Sequence, residues 1–135
     1  MPVRVVQLGS PRTPGEGLRI GTVRRPPRGV KKSEYAARDY YDVWLPELAP
    51  SEPLRAWAMS KPWTADRWKT FARRYRAEMA SPGPARLVAL LHGLSKHADF
   101  SVGCYCEDGS RCHRSVLIEL LRSGGASLRT QKMSL

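Results

Sequence analysis

Three cysteines, two phenylalanines and twelve acidic side chains are all that these 135 residues carry of those types. An odd thiol count cannot pair fully within one chain, and a domain of this length needs no disulfide staples, so reduced cysteines in a cytosol are expected. Long apolar runs are missing too. The longest clean one, Leu87-Val-Ala-Leu-Leu91, falls far short of the roughly 20 residues that span a bilayer. The opening Met1-Pro-Val-Arg-Val-Val-Gln7 has no signal-peptide pattern, so a cytoplasmic protein without a membrane partner is expected. No internal repeat or low-complexity tract is present. The shortage of acids leaves a formal net charge of +11. That excess concentrates anionic partners near the surface without choosing between a small anion, nucleic acid and an acidic protein. Arginine-rich composition also follows from a high-GC genome, and the two explanations carry equal weight here.

The length matches one ordinary domain. Val3–Leu8 and Leu18–Val23 read as two strands joined by the Gly9–Gly15 loop. Arg24–Lys32 mixes cations with Pro and Gly, giving a constrained basic loop. A short helical turn is expected over Ser33–Tyr41 and an extended piece over Asp42–Leu45. Ser51 is placed to cap a helix carrying Leu54–Met59, and Thr64 to cap a second one reaching about Ala80. In that second helix Trp68, Phe71, Ala72, Tyr75 and Met79 repeat as a core stripe, opposite Arg67, Lys69, Arg73, Arg74 and Arg76. Ser81-Pro-Gly-Pro84 breaks the chain before a helix marked by Leu87, Val88, Leu91 and Leu94. A last strand over Asp99–Tyr105 and a helix over Ser115–Arg122 follow, with Gly124-Gly125 as the stop. The predicted fold class is α/β, a single small domain over residues 1–126 with a short, mainly parallel sheet packed by helices, and a flexible tail over 127–135. The first and last strands are expected side by side.

Chemistry is concentrated in Cys104-Tyr-Cys106-Glu-Asp-Gly-Ser-Arg111-Cys112-His113-Arg114, at a strand-to-helix junction where free amides and a helix dipole favour an anion or thiolate. Cys104 reads as a small core residue. Cys106, at the strand end with Arg111 and Arg114 near in sequence, is the candidate nucleophile, although Glu107 and Asp108 oppose its ionisation. His113 beside two arginines resists protonation and is the candidate proton carrier. Over this turn alone, Cys106–Arg111 resembles the active-site loop of rhodanese-type sulfurtransferases. Metal binding is set aside on spacing, since Cys112 and His113 would face about 100 degrees apart on a helix. A reversible disulfide between Cys106 and Cys112 across the turn stays open.

The strand-borne cysteine followed by Cys112-His113-Arg114 and an apolar helix resembles the domain of unknown function 488 family. Arg25–Val30, Asp42–Trp44, Leu48–Arg55 and Phe71–Tyr75 resemble its YeaO-like branch, so the likeness runs from about Leu18 to Arg122. The chain departs from that branch in having the Cys-His-Arg element, and from the family in a shorter turn between Cys106 and Cys112. The resemblance implies an α/β fold and lends no established activity. It does imply that Arg28, Ser51 and Arg55 belong with the cysteine turn, although solvated loop charges, a plain cap and a surface residue are equally good readings of them. Trp44 and Trp57 read as core. Together these readings point to an anion-binding site at Cys106–Arg114. Its catalytic residues would be Cys106 and His113, its anion-binding residues Arg28, Arg55, Arg111 and Arg114, with Cys112 and Ser51 as further candidates and no metal or cofactor. The alternative is a non-catalytic module that binds nucleic acid or an acidic partner through its basic surface.

Overall fold

The computed structural model describes residues 3–105 and 112–123. Four strands, β1 (Val3–Gln7), β2 (Leu18–Gly21), β3 (Val43–Trp44) and β4 (Phe100–Cys104), form one sheet in the order β1-β4-β2-β3, with every neighbouring pair parallel. The expected pairing of first and last strands is observed, with Val5 opposite Val102. The first two strands do not pair with each other. Strand β4 lies between them because its five residues are buried on both faces, which suits the centre of a parallel sheet.

Alternation along β4 divides the packing. Phe100 and Val102, with Val3 and Ile20 from its neighbours, meet an apolar layer from α1 (Glu52–Met59), α2 (Ala65–Met79), α3 (Pro82–Leu94) and α4 (His113–Ser123). Leu54, Phe71, Tyr75, Met79, Val88, Leu91, Leu117, Leu120 and Leu121 fill that layer. The caps agree with the reading: Ser51 Oγ accepts from the Leu54 amide and Thr64 Oγ1 from the Arg67 amide. Ser81-Pro-Gly-Pro84, read as a break, is instead the start of α3. Its first proline costs nothing there, since the amides of a first turn have no intrahelical partner. Helix α4 begins two residues before the expected Ser115, and the expected turn over 33–41 holds one tight helical turn at Lys32–Glu34. Residues 106–111, the Gly-Gly stop and the tail over 127–135 lie outside the described residues. No described helix is long and apolar enough to cross a membrane.

The opposite face is polar at its centre. Arg19 is fully buried and donates to both Glu16 carboxylate oxygens, at 2.8 and 3.1 Å, and to the carbonyls of Ser10 and Asp39. Glu16 also accepts from Ser101 Oγ and the Thr13 amide. At the carboxyl end of the sheet, Leu8 and Tyr41 pack with Val23, Cys104 and Cys112 into a second apolar cluster. Trp44, expected in the core, is 39 % exposed because β3 is a two-residue edge strand. Its indole stacks on Tyr41 and donates to the Val23 carbonyl.

Gly17 ties the Glu16 turn to the sheet. Its φ of +77° suits glycine alone, and a Cβ there would run into the Asp99 carbonyl oxygen. Gly17→Ala is therefore expected to cost about 2–3 kcal/mol. Urea denaturation checks this, and a loss below about 0.5 kcal/mol would show that the turn relaxes freely.

Candidate thiol–imidazole site

Parallel strands deliver their C-terminal ends to one edge, where open α/β sheets place their ligands. At that edge Cys104 ends β4 and Val23 follows β2. Cys112 immediately precedes α4, whose first residue is His113. These residues form the floor of a cleft of about 510 Å³. Its apolar wall includes Ala58, Met59, Pro62, Trp63 and Phe71, and its cations are Arg24, Arg25, Arg55 and Lys61.

Three donor atoms converge on the floor: those of Cys104, Cys112 and His113 lie within 4.8 Å of one another, and all three residues are buried. The two sulfurs are 2.7 Å apart. His113 is anchored by its Nε2, which lies 2.7 Å from the Thr22 carbonyl oxygen and 3.2 Å from Thr22 Oγ1. A carbonyl can only accept, so Nε2 carries the proton. In the neutral ring that leaves a lone pair on Nδ1, which faces Cys112 Sγ at 3.6 Å. Thr22 is held in turn, its amide and hydroxyl both donating to the Gly103 carbonyl at 2.9 and 3.0 Å. The Tyr75 ring meets the imidazole edge-on at 5.5 Å. Burial, reinforced by Cys112, Glu78 and Cys104, pushes the Tyr75 hydroxyl well above the usual phenol range, so it stays a neutral donor to Leu48 O at 2.6 Å.

The predicted site residues divide sharply. His113 and Cys112 are on the floor, and Arg55 is exposed at the cleft wall. Arg28 is exposed on its loop and is not among the residues lining the cleft. Ser51 caps α1 and its Oγ donates to Glu78, so its hydroxyl serves the helix start. Arg114, expected to face an anion, is buried on α4 with Nη1 donating to the Val6 carbonyl, and it too is absent from the cleft wall. Cys106 and Arg111 lie outside the described residues. Sequence reasoning missed Thr22, Lys61 and the chemistry of Cys104. It also treated Cys112 as helical, whereas Cys112 precedes the helix and can turn its sulfur to the same point as the His113 ring.

The basic face of α2 is largely engaged by the protein itself. Arg67 and Arg74 lie over the Trp57 ring at 4.2 and 4.9 Å, and Arg76 pairs with Glu119 at 2.8 Å. Trp57 packs against the core as expected while carrying those two cations on its ring.

A small parallel α/β protein with a buried thiol–imidazole cluster at the carboxyl end of its sheet is the class that fold and site define. The chain belongs to the domain of unknown function 488 family: a family model described as "Active DUF488-N3 subclade" matches residues 3–125. Among curated proteins it is similar to "Uncharacterized protein Rv3073c" and "Uncharacterized protein MT3158" of Mycobacterium tuberculosis and to "Uncharacterized protein Mb3100c" of Mycobacterium bovis. Each is 28% identical over 119 residues, covering 88% of this chain and 92% of the relative. No solved structure matches the chain significantly.

Proposed function

We propose that the protein carries out thiol-dependent chemistry on a small anionic molecule held in the cleft, with Cys112 as the nucleophile and His113 as the group that takes and returns its proton. The observation that carries this reading is the fixed tautomer of His113. The Thr22 carbonyl holds the proton on Nε2, which turns the Nδ1 lone pair toward Cys112 Sγ. The start of an 11-residue helix adds a positive field at that sulfur, and both effects favour thiolate. Cys106, the nucleophile that the sequence suggests, is the thiol whose labelling rate is compared with that of Cys112.

The cleft suits a substrate with one anionic and one apolar part. Arg24 is tied to the Ala49 and Pro50 carbonyls and Arg25 to Glu52, while Arg55 and Lys61 make no ion pair among the described residues. Those two would meet the anion, and Trp63, Phe71 and Met59 the apolar part, in a volume typical of small-molecule sites. A surface for nucleic acid, expected on Arg24–Lys32 and the Arg67–Arg76 helix face, is less favoured, since Arg67 and Arg74 lie over Trp57, Arg76 pairs with Glu119, Arg24 donates to the Ala49 and Pro50 carbonyls and Arg25 pairs with Glu52.

Iodoacetamide labelling followed by peptide mapping tests the reading. At pH 7 Cys112 is expected to react at least about tenfold faster than a model thiol, because an ordinary thiol is only a few per cent ionised there. Inorganic phosphate, or better an aryl phosphate, is expected to slow the labelling, with a shallow dependence on salt. Labelling no faster than the model thiol would remove Cys112 from the role. Protection by oligonucleotide that collapses steeply as salt rises would favour the polyanion reading instead.

A further inference from the structure

We propose that Cys104 and Cys112 close a reversible disulfide that switches this site off when a hydroperoxide oxidises it, and that a dithiol reductant reopens it. The inference rests on Cys112 being the reactive thiol of the cleft. It replaces the Cys106–Cys112 pairing that sequence spacing suggests.

The geometry favours sulfur–sulfur bonding over a metal held by the same three donors. Two thiolates on a tetrahedral zinc with bonds of about 2.3 Å would stand ~3.8 Å apart, whereas a disulfide bond is about 2 Å long. At 2.7 Å the two sulfurs need a smaller movement to bond than to open around an ion. They arrive from different elements, eight positions apart, so closure links the end of the central strand to the start of α4. The backbone on both sides is held. The Cys104 carbonyl accepts from the Leu8 amide at 2.8 Å, and the Cys112 carbonyl accepts from the Ser115 amide and hydroxyl at 2.9 and 2.8 Å. Both cysteines sit in the same apolar cluster, with Leu8, Val23 and Tyr41 around them, and both line the cleft through which a small oxidant would enter.

The step balances in two stages. The Cys112 thiolate attacks one peroxide oxygen and the O–O bond breaks. The sulfur, having given up two electrons, becomes a sulfenic acid, and the departing oxygen takes the proton held by His113 to leave as an alcohol, or as water when the oxidant is hydrogen peroxide. Cys104 then attacks the sulfenic sulfur. The S–S bond forms, and the hydroxyl leaves as water with the Cys104 proton. Reduction by a dithiol reverses the outcome by thiol–disulfide exchange. In the closed form Cys112 has no thiolate to offer, so nucleophilic chemistry at the floor stops.

The experiment uses full-length wild type and Cys106→Ser, treated with equimolar hydrogen peroxide. Thiols are counted with a chromogenic disulfide reagent, and peptides are mapped without reduction. The expected result in both proteins is one intramolecular Cys104–Cys112 linkage, loss of two thiols per chain, at least about a tenfold fall in Cys112 labelling, and full recovery with dithiothreitol. In Cys104→Ala, treated with a several-fold excess of hydrogen peroxide because the second oxidation consumes a second equivalent, Cys112 is expected to pass on to sulfinic acid, which dithiothreitol does not restore. A Cys106–Cys112 linkage in wild type, or sulfinic Cys112 beside an intact Cys104 thiol, would overturn the switch. Labelling of the reduced protein before oxidation separates the two failures. Fast labelling without closure sinks the switch and spares the site, while closure with labelling no faster than a model thiol sinks the reading of Cys112 and the switch with it.

Discussion

Arg19→Met is expected to lose about 3–5 kcal/mol of stability in urea or guanidinium denaturation, the largest effect of any single substitution on the sheet. The reason is asymmetry: removing the cation leaves Glu16 buried without its partner, which costs far more than the pair contributes over an apolar substitute. The carbonyls of Ser10 and Asp39 lose their donor at the same time. Burial alone would raise the Glu16 carboxyl. Hydrogen bonds from Arg19, the Thr13 amide and Ser101, with the Arg19 charge, outweigh that and bring it down from 4.5 to about 2. A folded value below the unfolded one stabilises the protein fully above pH 4.5, and that contribution fades as the pH falls through 2. A depression of this size corresponds to about 3 kcal/mol. Wild type is therefore expected to weaken steeply with acid across that window, and Arg19→Met to show a much flatter acid limb. The double variant Glu16→Leu, Arg19→Met is expected to recover part of the loss. A single variant within 1 kcal/mol of wild type would show that the pair is dispensable.

His113→Leu is expected to lower the labelling rate of Cys112 at pH 7 by about 10–100-fold, since it removes the lone pair facing the sulfur and leaves the thiol in an apolar surround that disfavours its charge. Thr22→Val is a sharper control, because it keeps the backbone carbonyl that sets the tautomer and deletes the longer Oγ1 contact to Nε2 together with the hydroxyl's bond to the Gly103 carbonyl, which the Thr22 amide still serves. It is expected to retain most of the rate. Equal losses in the two variants would mean that the residues act through packing, and unchanged labelling in His113→Leu would detach the imidazole from the sulfur.

Much of the architecture was legible in the chain because it depends on local patterns. The helical repeat of Trp68, Phe71, Tyr75 and Met79 marks the buried stripe of α2, and Ser51 and Thr64 announce the two helix starts that they cap. Pro82 was misleading for a physical reason: a proline that breaks a helix interior fits its first turn equally well. The candidate site was half legible. The cluster of cysteines ahead of a helix located it, and His113 and Cys112 are on its floor. Its inner wiring depends on residues distant in sequence. Thr22 lies 91 positions from the histidine whose proton it holds, and Val6 lies 108 positions from the arginine that donates to it. No spacing rule connects such pairs.

Composition and periodicity alone point to a small α/β domain with a mainly parallel sheet and place a cysteine cluster ahead of the last helix, because side-chain burial and capping are decided within a few residues. Tertiary packing alone settles which thiol meets which base. Cys104 looks like core in its strand and becomes a neighbour of Cys112 only when β4 runs between β1 and β2 and presents its end to α4. Arg114 looks like an anion clamp at a helix start and is turned instead to the Val6 carbonyl of the first strand. The difference is one of range: elements form from neighbouring residues, whereas a proton's position on an imidazole is set by whichever carbonyl the fold brings against it.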